Sequence, residues 1–72
     1  MTKRIEILQQ ALDLTNEAGR DAQMIHIRLT RVKGFKKSTL LQLAARHYYN
    51  VARVNYEIAV FLESLLHKEN RK

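Results

Sequence analysis

The side chains able to carry out proton transfer, metal ligation or nucleophilic attack are few and scattered. His26, His47 and His67 stand about twenty residues apart in the chain, far from the close ligand spacing of a metal helix, and there is no cysteine to supply a thiolate. Ser38 and Ser64 have no histidine and carboxylate in an order that would activate a hydroxyl. Glu63 and His67 share a helix face, but one such pair is ordinarily a weak ion pair. No glycine-rich phosphate loop or repeated Glu-x-x-His occurs. The expectation is a protein that is not an enzyme and has no catalytic residue, cofactor or metal site.

Charge offers more. Thirteen lysines and arginines against seven acids give a net charge of +6, and no acidic residue lies between Asp21 and Glu57. Arg28, Arg31, Lys33, Lys36 and Lys37 fall in one short stretch and could grip phosphates, with affinity that falls as salt rises. The plainer reading is a solvated basic turn that complements the C-terminal end of a helix dipole. Arg46, Tyr49, Arg53 and Tyr56 recur at helical spacing, which puts basic and aromatic groups on one face. Such a face can stack single-stranded bases. It can also bury tyrosine bodies in a protein interface, and that is the preferred reading.

The elements that must hold these groups are two helices. Ile5, Leu8, Ala11, Leu12, Ala18, Ala22, Ile25 and Leu29 follow a 3.6-residue period, with Thr15 and Gly19 on the same stripe. The period ends at Arg31–Lys37 around Gly34; proline is absent and the only other glycine is Gly19. Ser38 and Thr39 are N-cap candidates, and Gln42 stands three residues beyond Thr39 as in a capping box. Helices over residues 3–30 and 38–69 with a turn over 31–37 follow. The fold class is all-α: one domain, residues 1–72, forming an antiparallel two-helix hairpin. Two competing readings fail on pattern. Ile25, Ile27 and Leu29 alternate as in a strand, but the second half lacks the break a ribbon-helix-helix requires. A helix-turn-helix over residues 43–54 would put Tyr48 and Tyr49 where small residues are needed.

The second helix is too apolar for its single neighbour. Leu41, Ala44, Ala45, Tyr48, Val51, Ala52, Ile58, Ala59, Leu62, Leu65 and Leu66 fill one stripe. Leu40, Leu43, Val54 and Phe61 form a second flank, and Tyr49, Tyr56 and Val60 a third. A chain of 72 residues cannot cover all three. A homodimer forming a four-helix bundle is expected, with Tyr49, Val54, Tyr56, Ile58, Phe61, Leu62 and Leu65 in the dimer or partner interface. The functional expectation is a non-catalytic interaction or regulatory module with a protein partner. The alternative is a basic nucleic-acid-binding regulator using the hairpin tip. Glu6, Gln9, Gln10 and Asp13 interrupt any leader-like run, and the longest apolar run, Ile58–Leu62, is too short for a bilayer. With no cysteine, the expectation is a cytoplasmic protein that does not act at a membrane.

Register can also be predicted. For a turn centred on Gly34, residue i lies opposite roughly residue 68 minus i. Gly19 would then face Arg46–Tyr49, so that a small residue accommodates a tyrosine. Asp13 and Glu17 would pair with Arg53, and Asp21 with Arg46.

Overall fold

A computed structural model describes residues 2–71. Helix α1 spans Thr2–Thr30 and helix α2 spans Thr39–Arg71, joined through a single turn of 3-10 helix at Phe35–Lys37. There is no strand among the described residues, and α2 runs unbroken through Tyr48–Asn50. The two helices pack along their lengths into a rod of 54 × 14 × 13 Å, measured on Cα atoms. Its radius of gyration, 16.2 Å, compares with about 11 Å for a globular chain of this length.

The turn is built from backbone geometry. Phe35 N–H donates to the Val32 carbonyl at 3.0 Å, and Gly34 between them has φ +86° and ψ 4°, as the third residue of a type II turn requires. A side chain there would meet no neighbouring atom but would be forced into a left-handed backbone. Gly34→Ala is therefore expected to cost about 1–2 kcal/mol, read as a lowered thermal midpoint. Ser38 is the N-cap of α2: its Oγ accepts from the Leu41 N–H at 3.2 Å. The capping box expected at Thr39 and Gln42 does not form. Gln42 instead donates its amide to the carbonyls of Phe35 and Lys36, at 3.1 and 3.0 Å. The half-buried Phe35 thus belongs to a loop strapped against the start of α2.

That strap sets a different register from one centred on Gly34. The loop folds along the first turn of α2, so α2 begins beyond the level at which α1 ends. Gly19 lies against Asn55 and Ala52, His26 against Ala45, and Arg4 against Glu69. Each partner is about one helical turn further along α2 than expected. The expected Gly19 contact with Tyr48 or Tyr49 is replaced by Asn55, whose Cβ would be 3.3 Å from a Cβ at Gly19. The cross-hairpin ion pairs of Asp13, Glu17 and Asp21 with Arg53 and Arg46 are likewise absent. Asp13 accepts from Gln9 Nε2 at 3.0 Å, and Arg4–Glu69 is the salt bridge found among the described residues.

The seam between the helices runs Ile5, Leu8, Leu12, Thr15, Gly19, Ala22, His26 and Leu29 on α1. It continues as Leu41, Ala45, Tyr48, Ala52, Asn55, Ala59, Leu62 and Leu66 on α2. Steps of three and four alternate throughout, which is the period of a coiled coil. The apolar cluster occupies the open end: Leu12, Ala59 and Leu66 are buried, with Ile5, Leu8 and Leu62 packed on them. Through its middle the seam becomes small and polar, before Leu29, Leu41 and Tyr48 close it beside the turn. Thr15 Oγ1 and Asn55 Nδ2 bond back to their own helices, at Ala11 and Val51, and His26 crosses to α2. Among the described residues no side chain is completely buried.

Candidate functional site

At 100° per residue, the helices leave two flanks beside the seam. One is apolar on both helices. Ile7, Leu14 and Ile25 project from α1 on the same side as Leu40, Val54, Ile58 and Phe61 from α2, all exposed. Phe61 keeps 61% of its surface exposed, Leu14 60% and Ile7 56%. His47 and Asn50 interrupt the α2 row, and the His47 ring lies edge-on against Tyr48, centroids 5.1 Å apart. Although His47 and Asn50 break it on α2 and Asp21 breaks it on α1, this face gathers more large exposed apolar side chains than isolated surface residues account for.

The expected interface residues divide between these environments. Val54, Ile58 and Phe61 are exposed on the apolar flank, with the half-buried Leu65 at its edge. Leu62 packs against the hairpin's own core. Tyr49 and Tyr56 emerge on the opposite flank.

That opposite flank is a groove between the helices. Thr15, Asn16, Gly19, Arg20, Gln23, Ala52, Asn55 and Tyr56 line a depression of about 210 Å³. A second depression, of about 370 Å³, is lined by Gln23, His26, Ile27, Tyr49, Ala52, Arg53 and Tyr56. They share Gln23, Ala52 and Tyr56 and so form one trough, whose lining contains no acidic residue. Gly19 and Ala52 give its floor depth. His26 organises one wall: its Nδ1 lies 2.8 Å from the Ala45 carbonyl, which can only accept, so the proton sits on Nδ1. The same ring packs at 52° against Tyr49, with centroids 5.4 Å apart, and fixes that aromatic at the lip.

The five cations expected at the tip are all exposed. Lys33, Lys36 and Lys37 surround a shallow depression with Thr30, Val32, Gly34 and Phe35. Arg28 and Arg31 lie outside it. His26, His47 and His67 remain apart, and among the described residues no three metal-ligating side chains cluster. No helix among the described residues is long and apolar enough to cross a membrane.

Arg20, Gln23 and His26 were not identifiable as site residues from the sequence. Only the register of the two helices brings them beside Tyr49, Arg53 and Tyr56. Their signal is a position on the seam for His26 and beside it for Arg20 and Gln23, which requires the three-four spacing to be recognised. No known protein family matches this chain, and no significant similarity to a curated protein or a solved structure is found.

Proposed function

We propose that the protein is a non-catalytic helical interaction module that pairs with a second copy of itself into a four-helix bundle and acts through a protein partner. The observation that carries this reading is surface. The chain exposes 6058 Å², against about 4,700 Å² for a globular monomer of 8.5 kDa. The excess, roughly 1,400 Å² per copy, is of the order buried by each subunit of an obligate homodimer. An exposed apolar flank that can face its own copy supports a twofold interface, in which the same patch meets itself. At about 25 cal/mol per Å², covering even a third of that excess is worth about 12 kcal/mol before the costs of association, comparable to the whole stability of a small domain.

Sedimentation at micromolar concentration tests this. A dimer mass that falls only on dilution, together with loss of helicity, supports it. A monomer that melts sharply and cooperatively rules it out. The alternative, a nucleic-acid regulator gripping phosphates with its tip, is favoured by the exposure of Lys33, Lys36 and Lys37 around one depression. Replacing those three lysines with glutamine should then abolish nucleic-acid binding.

A further inference from the structure

The groove on the flank opposite the apolar face has a composition that self-association does not use. Its lips carry Arg20 and Arg53, with the aromatic rings of Tyr49 and Tyr56 beside them and the Gln23 amide between. Tyr56 is 71% exposed and Tyr49 54%, although both rings offer apolar bodies that ordinary packing would cover. A second copy laid groove to groove would bring Arg20 and Arg53 against their own counterparts with no acidic lining residue to separate them, which disfavours self-pairing centred there. A protein partner with an apolar helix would leave both guanidinium groups without counter-charge. An occupant must offer repeated anions and flat, stackable surfaces together.

We infer that this groove binds single-stranded nucleic acid, with bases stacked on Tyr49 and Tyr56 and phosphates held by Arg20 and Arg53. Stacking on tyrosine tolerates any base, because every base has a π face, so the groove reads strand form and not sequence. The stretch of α1 from Thr15 to Ile27 is about 18 Å long, room for only a few nucleotides. Pairing of two hairpins through their apolar flanks leaves both grooves open, one on each outer side. The site therefore does not depend on the tip lysines, and it does not compete with dimer formation.

The test uses the full chain and a fluorescently labelled homopyrimidine single strand of about twelve nucleotides, in RNA and DNA form, titrated over about 50–200 mM salt. The chain has three tyrosines and no tryptophan, so quenching of intrinsic tyrosine fluorescence reports stacking directly. Binding with quenching is expected, weaker for a duplex of the same length. The double variant Arg20→Gln, Arg53→Gln should weaken binding and reduce the log–log salt slope by about 1.4, since each phosphate contact on a single strand contributes about 0.7. Tyr56→Ala should lose about tenfold or more in affinity with little change in slope. All three positions are exposed, so an unchanged sedimentation mass and helical circular dichroism will show that the variants fold. Absence of single-strand binding, tighter binding to duplex, or full affinity in both variants with loss only when Lys33, Lys36 and Lys37 are replaced would each overturn the assignment. Because the apolar flank is untouched, failure here leaves the dimer test unaffected.

Discussion

Phe61→Asp should convert the dimer into a poorly folded monomer. In an isolated hairpin Phe61 is 61% exposed, and polar substitution at such a surface position usually changes stability by no more than about 0.5 kcal/mol. In a four-helix bundle the same position lies between hairpins. An aspartate there must leave water without a partner, at a cost of several kcal/mol. The twofold repeats that cost in both subunits, against a total stability on the order of 5–15 kcal/mol. The two situations thus predict opposite outcomes from one substitution. Sedimentation and far-ultraviolet circular dichroism distinguish them: halved mass with lost helicity is expected. A dimer of unchanged mass and melting would place the association surface elsewhere. Tyr56→Asp, on the other flank, should leave the mass unchanged.

Gly19→Leu should destabilise the hairpin by about 1–3 kcal/mol. Even a Cβ at this position would approach Asn55 Cβ at 3.3 Å and the Ala52 carbonyl oxygen at 3.9 Å. Asn55 is held on its own helix through the Val51 carbonyl at 2.8 Å and does not yield freely. A leucine therefore pushes its Cβ against Asn55 and leaves the rest of its side chain to fill the groove floor or displace α2. Gly19→Ala is the informative contrast, since it trades a tight contact against a gain in helix propensity of up to about 1 kcal/mol and should come out close to neutral. Thermal melting of both variants decides the matter. A Gly19→Leu protein as stable as the parent would mean that Gly19 does not face α2.

The hairpin was legible in the sequence because its signals are local. The 3.6-residue period stops at Thr30, Gly34 supplies the left-handed residue of the turn, and Ser38 caps the next helix. The axial match of the helices was not legible. It depends on how the loop packs against α2, and that is settled by Gln42 reaching the carbonyls of Phe35 and Lys36. Nothing in the spacing around Gly34 announces that contact. The ion pairs expected for Asp13, Glu17 and Asp21 rest on the same match and fall with it. The groove was half legible: the Arg46, Tyr49, Arg53 and Tyr56 face reads directly from α2. Arg20 and Gln23, which complete the groove from α1, come into position only once the two helices are set against each other.

The uneven seam also bears on the order in which the chain assembles. Its apolar cluster of Leu12, Ala59 and Leu66 joins segments separated by most of the chain, while the middle of the seam, around Thr15–His26 and Ala52–Asn55, is largely small and polar. Zippering outward from the turn therefore gains little beyond Leu29, Leu41 and Tyr48 until the open end closes, and that closure carries most of the loop entropy. The transition state should contain that distal cluster already formed, so Leu12→Ala should slow folding more than it speeds unfolding, whereas changes near Ala45 should act chiefly on the unfolding rate.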